Sequence, residues 1–411
     1  MKIRSITSFF NPSLENPGAS LTHLARFTKD AVSAFTSETI EVQTTRLATV
    51  PFATYTDLSD RSSTIKVIKS LESSARDAGY NYLSIGPALP KYPESYALIP
   101  EIFSQTEIVF ASGIIANREK GLYLKAIQDS GKIIADTALL EPNGFANLRF
   151  TALANVLPFG PFFPAAYSGG NETAFSLAVE SADLAVEAFH KAGSLSEARQ
   201  SLLNTLETKA QQMTVIAEQL SNQYGIAFKG LDISLAPFPE DSCSLGGAME
   251  VLCGEYQLGL NGSVAAAAFI AEILDRGSWK KAGFNGLMLP VLEDSILASR
   301  TISGTYGVKD LLLYSAVCGA GLDTVPLPGD VTSEQLSALM LDVAALAIRL
   351  NKPLTARLMP VPGKKAGELT SFNFDFFANG RILDLPAKHL SKLFSSNEVV
   401  EIKSRFDTQQ E

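Results

Sequence analysis

Carboxylates are the residues of this 411-residue chain whose positions most clearly suggest chemistry. Asp232, Glu293, Asp294 and Asp323 all follow short apolar runs and stand close to glycine or proline. Carboxylates that converge in one cleft raise one another's pKa values or bind a hard cation such as Mg²⁺ or Ca²⁺. We therefore predict acid–base roles for Asp232, Glu293 and Asp323. Asp294 and Asp323 are the predicted metal ligands, and helix capping is the alternative role for an isolated acid.

One cysteine is a further catalytic candidate. Cys318 lies in the segment AVCGAGLDTVPLPGD, residues 316–330, which glycine and proline interrupt, so that we expect a stiff polar loop. A thiol there is either an exposed nucleophile or a small buried side chain that fills a turn. We predict a catalytic role for Cys318 and keep the buried alternative open. No histidine lies near it in the sequence, which disfavours a cysteine–histidine or serine–histidine–aspartate site.

Basic and amide side chains near predicted strand ends are the candidates for ligand binding. A guanidinium group matches the geometry of carboxylate and phosphate groups. Arg46 and Arg149 are therefore predicted to contact a small polar or anionic molecule, with Lys364 as a further cation. Asn147 and Asn155 are predicted to orient that molecule.

Composition narrows the class of protein. The chain has 34 Lys and Arg against 43 Asp and Glu, a net charge of −9, and no basic run, which argues against a nucleic-acid partner. Three cysteines without zinc-binding spacing favour a reducing, cytoplasmic location. The most apolar stretch is far shorter than the roughly 20 residues that span a bilayer, so we expect no membrane partner.

Strand-like runs alternate with helical patterns along the whole chain, which predicts an α/β fold with a mainly parallel sheet. A doubly wound sheet and a closed barrel both fit this pattern, and in either one ligands bind at the carboxyl ends of the strands. We predict one domain over residues 1–411, with a disordered tail from about residue 405. The amphipathic helix predicted at 195–224 would suit a homo-oligomer interface, although packing on the sheet also explains it.

Three further segments carry specific expectations. Residues 174–191 are predicted to form a helix, and FNFDFFANG, residues 372–380, alternates like a last strand. The aromatic segment PFGPFFPAAY, residues 158–167, either fills the core or lines a small-molecule pocket.

Several motifs occur in the same order in the uncharacterised family called domain of unknown function 711, which this chain resembles from residue 1 to about residue 385. They are LDISLAPFPEDS, LMLPVLEDSILA, YSAVCGAGLDTVPLPGD and ARLMPVPGKKAGE. The family is similar in fold to pyruvate formate-lyase and ribonucleotide reductase, so the resemblance implies a ten-stranded α/β barrel. In those radical enzymes an inner loop carries a catalytic cysteine, and Cys318 would take that place. FANGRILDL, which contains Gly380, lacks their glycyl-radical signature, so radical chemistry does not follow.

Two classes of function fit these observations. The first is an enzyme that acts on a small molecule at a carboxylate-rich site; its cofactor is open, with Mg²⁺ or Ca²⁺ favoured by the oxygen ligands. The second is a non-catalytic metabolite-binding or sensor protein on an inherited enzyme fold. Turnover of a bound molecule would distinguish them.

Overall fold

The computed structural model describes residues 1–13, 17–254 and 256–406. Its strands are β1 (Lys2–Phe10), β2 (Thr45–Thr49), β3 (Tyr82–Ala88), β4 (Val109–Asn117), β5 (Gly121–Tyr123), β6 (Phe150–Ala154), β7 (Ala174–Glu180), β8 (Ala227–Ala236), β9 (Gly321–Pro328), β10 (Leu354–Val361) and β11 (Val399–Val400). Its α-helices are α1 (Pro17–Ser37), α2 (Arg61–Asp77), α3 (Glu94–Ser104), α4 (Leu124–Thr137), α5 (Ala182–Lys191), α6 (Leu195–Tyr224), α7 (Leu245–Cys253), α8 (Ser263–Arg276), α9 (Ser295–Ser303), α10 (Val308–Val317) and α11 (Ser333–Arg349). Beyond residue 406, the tail predicted to be disordered lies outside the described residues.

The sheet is mixed and contains parallel sets joined by antiparallel pairs. β1, β2, β3, β4 and β6 run parallel to one another. β7 runs parallel to β8, and β9 runs parallel to β10. The sets meet where β1 pairs antiparallel with β7 and where β6 pairs antiparallel with β10. The α/β prediction is confirmed, and six of the ten strand pairs in the described residues are parallel, so the sheet is mixed but mainly parallel.

Ladder hydrogen bonds do not close this sheet among the described residues, since its end strands β8 and β9 do not pair with each other. Residues 281–290 lie against both end strands. Lys281 forms a parallel bridge with Leu231 of β8, and Pro290 forms one with Asp323 of β9. The ten-stranded barrel stays a prediction.

Helix α6 shows how local sequence sets an element of this fold. It begins after Ser194, whose Oγ accepts a hydrogen bond from the backbone N of Glu197 (3.2 Å), and it ends at Gly225, with φ of 64°. Its apolar stripe packs against α1, α5, α8 and β8. Because packing accounts for the stripe, the homo-oligomer stays a prediction. None of the helices in the described ranges is long and apolar enough to cross a membrane.

The helix prediction at 174–191 was wrong for its first half. Residues 174–180 form β7, every residue of which is buried, and the helix begins only at Ala182. A strand buried on both faces has no alternation, so its apolar run cannot be distinguished from that of a buried helix. The strand predicted at 372–380 was also wrong, because these residues form turns whose phenylalanines pack around Phe145.

The loop predicted within residues 316–330 is largely a strand. Gly321 begins β9 with φ of 98°, and a Cβ atom there would lie 2.4 Å from the carbonyl oxygen of Thr355 in β10. The glycine therefore permits close approach of two strands, which is its usual role at such a position. The prolines that suggested a loop lie inside this buried strand.

Candidate functional site

A cavity of about 100 Å³ is lined by residues from all three parallel sets of the sheet. Its polar lining consists of Arg4, Thr44, Arg46, Thr151, Glu293, Asp323, Thr355 and Arg357. Most of the remaining lining is apolar or aromatic and includes Tyr82, Phe110, Phe162, Phe163, Phe284 and Met288. A largely apolar pocket with a few polar groups is the usual form of a small-molecule site.

The cavity does not lie at the carboxyl ends of the first parallel set. Arg4, Arg46 and Tyr82 stand near the amino ends of β1, β2 and β3, whereas Ala236 ends β8. The antiparallel β1–β7 pair, in which Lys2 faces Glu180, brings these opposite strand ends together. The strand-end rule used for the sequence prediction therefore selects the wrong edge of the first set.

An arginine–carboxylate cluster, made of Arg4, Arg357, Glu180, Glu293 and Asp323, occupies one side of the cavity. Arg4 binds Glu180 and Glu293, each at 3.0 Å. Arg357 binds Glu293 at 2.6 Å and Asp323 at 2.5 Å. Glu293 thus bridges the two guanidinium groups, and both arginines are matched by carboxylates.

A β-bulge brings Asp323 and Arg357 together. The register between β9 and β10 shifts so that Asp323 and Thr324 lie opposite Arg357, and Thr324 has φ of 42°. A bulge changes the direction of the side chains beside it. Here it allows charged side chains from adjacent strands to meet at the cavity.

Burial controls the protonation of this cluster. Burial raises the pKa of Asp323; Arg357 opposes the shift, and the Glu293 charge adds to it. Burial likewise raises the pKa of Glu180, against the effect of Arg4. Burial alone would lower the pKa of Arg357, but the charges of Asp323 and Glu293 outweigh it, so the net shift is upward. Arg357 is therefore a permanent cation, whereas Asp323 is a carboxyl group that protonates more readily than a free aspartate.

In the part of the chain that the structure describes, Arg46 is the cavity cation that forms no ion pair with a carboxylate. Its side chain makes one hydrogen bond within the described residues, from Nε to Thr44 Oγ1 (3.1 Å). Its Cζ lies 5.7 Å from the ring centre of Tyr82 and 5.3 Å from that of Phe163. The residue is 8% exposed. Burial, followed by the positive charge of Arg4, lowers the pKa of Arg46 to about 9, so the group remains protonated at neutral pH.

The other predicted acids lie outside the cavity lining. Asp232 is fully buried and accepts hydrogen bonds from Ser234 Oγ and from the backbone N atoms of Phe284 (2.7 Å) and Asn285 (2.9 Å). Burial raises the pKa of Asp232 to about 6. These bonds fix residues 284–285 beside β8, which is a structural role.

Asp294 caps helix α9. Its Oδ1 accepts hydrogen bonds from Leu297 N (3.0 Å) and Ser244 Oγ (2.5 Å), and its Oδ2 accepts one from Gly246 N (3.1 Å). The described parts of the chain contain no group of three or more His, Cys, Asp or Glu side chains that could hold a metal ion. Protein groups donate hydrogen bonds to both Asp294 and Asp323. The arrangement therefore gives no support to the predicted Mg²⁺ or Ca²⁺ site.

Cys318 is buried, with 2% of its surface exposed, and it does not line the cavity. It follows the last residue of α10, and its backbone N donates to Tyr314 O (2.8 Å). The side chain belongs to the main apolar core. Its position matches the buried alternative.

Arg149 and Asn147 bind backbone away from the cavity. Arg149 donates to the carbonyls of Thr106 (2.9 Å) and Phe103 (3.1 Å) near the end of α3, and also to Glu141 (3.0 Å). Asn147 Nδ2 donates to a carbonyl of α4 at 3.1 Å. Both side chains satisfy helix ends, so neither lines the cavity.

Asn155 and Lys364 also lie outside the cavity lining. Asn155 has φ of 58°, and its Oδ1 accepts a hydrogen bond from the backbone N of Arg118 (3.3 Å). Lys364 stands in the turn after β10, where its backbone oxygen accepts a hydrogen bond from Gly329 N (2.9 Å). These contacts organise loops.

The aromatic segment 158–167 serves both of its predicted roles. Phe162 and Phe163 line the cavity. Phe159 packs its ring against Phe9 of β1, and the Tyr167 hydroxyl donates to a backbone carbonyl.

Arg4, Arg357 and Glu180 were missed by the sequence analysis. Arg4 lies in the strand KIRSITSFF, which mixes apolar and polar residues, and Arg357 is the single charge of LTARLMPV. A charge in a buried strand requires a partner or a cavity, so this pattern was the available signal.

Together, these features define a mixed α/β protein with a buried arginine–carboxylate site. The chain belongs to the family described as Uncharacterised ACR (DUF711), whose model matches residues 1–375. It is 28% identical over 351 residues to a UPF0210 protein of Acetivibrio thermocellus, and the alignment covers 81% of this chain and 77% of that protein. It is 29% identical over 390 residues to a UPF0210 protein of Syntrophobacter fumaroxidans, and that alignment covers 89% of this chain and 83% of that protein. The family predicted from the motifs is confirmed, whereas the likeness to pyruvate formate-lyase and ribonucleotide reductase stays a prediction.

Proposed function

We propose that this protein binds a small anionic molecule in the cavity and that Arg46 contacts the negative group of that molecule. The observation that carries this proposal is the isolation of Arg46. Its guanidinium group is buried beside the cavity and, among the described residues, makes a hydrogen bond through Nε alone, whereas both neighbouring arginines hold carboxylates.

The energetics of burial support this role. A buried charge without a partner destabilises the folded state, so proteins seldom retain one for packing alone. A bound carboxylate would supply the missing partner through two parallel hydrogen bonds, a geometry that a guanidinium group favours. Each charged hydrogen bond contributes about 1.5–3 kcal/mol, so Arg46 would account for about 10–100-fold or more in affinity.

Acid–base catalysis on the bound molecule is the second candidate function. It rests on Asp323, which lines the cavity and whose pKa burial raises. Asp323 and Glu293 keep their proposed catalytic roles in this version, whereas Cys318 and Asp232, which do not line the cavity, take no part in it. Conversion of the bound molecule would favour this function over simple binding.

We also propose that residues 281–290 serve as a further strand between β8 and β9. Together with the nine strands of the main sheet, β1–β4 and β6–β10, this segment would complete a ten-stranded barrel around the cavity. The bridges from Lys281 to Leu231 and from Pro290 to Asp323 support this arrangement. The three free cysteines support a reducing, cytoplasmic environment.

Calorimetric titration tests the binding proposal. Wild type, Arg46→Met and Arg46→Lys would be titrated with isovalerate, a small apolar carboxylate, and with inorganic phosphate. Arg26→Met, on the exposed face of α1, is the matched control. We expect isovalerate to bind wild type and the control equally, Arg46→Lys more weakly and Arg46→Met at least tenfold more weakly. Equal binding to wild type and Arg46→Met, or no binding of any anion to wild type, would contradict the proposal.

A further inference from the structure

Asp323 is a second polar group of the cavity that a ligand could contact. Its Oδ1 accepts the hydrogen bond from Arg357 Nε, the backbone of Thr324 also donates to its carboxylate, and no other side chain in the described residues donates to its Oδ2. Asp323 lines the same cavity as Arg46. A ligand that met both groups would present a negative group to one and a hydrogen-bond donor to the other.

The balance of charges limits the negative charge of that ligand. Arg4 and Arg357 are shared among Glu180, Glu293 and Asp323, so two cations face three carboxylates. Arg46 is the third cation and brings this group to formal neutrality, while its own guanidinium group forms no ion pair among the described residues. A ligand with one negative charge therefore leaves a net charge of −1, and a second negative charge would add repulsion from the carboxylates already present.

The rest of the lining determines the body of the ligand. Phe162, Phe163, Phe284 and Met288 contribute apolar surface around the polar groups. Burial of apolar ligand surface against such side chains is favourable, whereas a second polar chain would lose its hydration without finding a partner. Phosphate, which has no apolar part, fits this lining poorly.

We infer that the cavity recognises apolar monocarboxylic acids that carry a hydroxyl or amino group near the carboxylate. This inference rests on the proposed function, because it assumes that Arg46 binds the carboxylate. Arg46 would hold the acid group, and Asp323 Oδ2 would accept the hydrogen bond from the hydroxyl or amino group. Asp323 is thus the residue that separates such acids from their unsubstituted analogues.

A matched set of acids tests this inference by calorimetry. Isovalerate, 2-hydroxyisovalerate and valine share one apolar body; 2-hydroxyisovalerate adds a neutral donor, valine adds a charged ammonium donor, and isopropylsuccinate adds a second carboxylate. We expect 2-hydroxyisovalerate or valine to bind wild type about tenfold more tightly than isovalerate, as a hydrogen bond to a charged group implies. Isopropylsuccinate should bind more weakly than isovalerate.

Asp323→Asn identifies the group responsible for the preference. This variant keeps the shape of the side chain, and we expect the ratio between 2-hydroxyisovalerate and isovalerate to fall toward one. Asp342→Asn, on α11 outside the cavity lining, is the control and should keep the wild-type ratio. Binding of isovalerate to Asp323→Asn reports that the cavity is intact.

The outcomes separate the two proposals. If isovalerate binds through Arg46 but all donor-bearing acids bind equally or more weakly, the inference is overturned while the proposed function stands. An unchanged ratio in Asp323→Asn would overturn the role of Asp323. If the variant does not fold, the wild-type ratios still decide the ligand class. If phosphate binds wild type through Arg46 but no carboxylate does, the inference is overturned and the proposed function stands. If no anion binds wild type, both proposals fail.

Discussion

Replacing Arg46 with methionine should stabilise this protein while it removes the affinity for an anion. Methionine is close to the length of the arginine stem and adapts to irregular apolar space. The substitution removes a buried cation that forms no ion pair among the described residues. Stabilisation and loss of binding together are the expected consequence of a charge that is retained for a ligand.

The magnitude follows from the pKa of Arg46, which burial lowers from the usual arginine value to about 9. A change of one in pKa corresponds to about 1.4 kcal/mol, so the charged side chain costs about 5 kcal/mol of folding free energy at neutral pH, net of its own favourable contacts. Methionine leaves Thr44 Oγ1 without the hydrogen bond from Arg46 and repacks the space imperfectly, which together offset about 2–4 kcal/mol of the gain. We therefore expect Arg46→Met to raise the free energy of unfolding by about 1–3 kcal/mol.

The assay is urea unfolding of wild type and variant at neutral pH. Arg149→Met is the matched control, because Arg149 is also a buried arginine but donates to two carbonyls and a carboxylate. Its loss leaves those acceptors unpaired, so this control should lower the free energy of unfolding by about 2–4 kcal/mol. The two substitutions should thus have opposite signs.

The pH dependence of the free energy of unfolding tests whether the charge of Arg46 destabilises the folded protein. A base whose pKa is depressed by folding binds fewer protons in the folded state than in the unfolded state, so stability rises with pH above the folded pKa. The advantage of Arg46→Met over wild type should therefore shrink as the pH is raised above about 9. A loss of stability in Arg46→Met similar to that in Arg149→Met would refute the reasoning, since it would mean that Arg46 is a structural residue.

Three other changes test the structural roles assigned above. Burial raises the pKa of Asp232 to about 6, so the folded protein binds a proton there more tightly than the unfolded chain does. The stability that this proton contributes below about pH 4 should therefore be lost as the pH rises to about 6. In urea unfolding between these pH values, Asp232→Asn should lack this decline of about 3 kcal/mol, and equal slopes would contradict the assignment. In a titration with a thiol reagent, the exposed Cys253 should react in the native protein, and the buried Cys318 should react only after denaturation. Fast reaction of Cys318 in the native protein would show that its thiol is accessible. Gly321→Ala should destabilise the protein by about 3 kcal/mol or more, because Gly321 has a positive φ and contacts β10. Gly170→Ala, with open space around it, should change stability by less than about 1 kcal/mol. Similar effects of the two substitutions would contradict the close approach of the strands.

The sequence predicted elements whose signals are local. Helix α6 was found with its observed bounds because its apolar period, its Ser194 cap and the terminal Gly225 all lie within the element. β7 was missed because its burial comes from neighbouring strands and leaves no alternation in the sequence. β9 was taken for a loop because Gly321 and its prolines suggest turns, although here they serve a buried strand.

The site was predicted only in part, because sequence does not specify side-chain direction. Arg46 and Arg149 carry the same group near predicted strands, yet Arg46 lines the cavity and Arg149 turns toward the end of α3. Asp323 lines the cavity because a β-bulge sets its direction, which depends on the partner strand. Asp294 was a metal candidate by type and proved to be a helix cap, the alternative that its position before α9 also allowed.

A crystal structure of the protein soaked with 2-hydroxyisovalerate tests the central claim most directly. We predict that the carboxylate lies in the cavity with its oxygens about 2.7–2.9 Å from the Arg46 terminal nitrogens. The Arg4 and Arg357 ion pairs should remain intact in that complex. A ligand bound elsewhere, or one in the cavity whose carboxylate does not contact Arg46, would contradict the account.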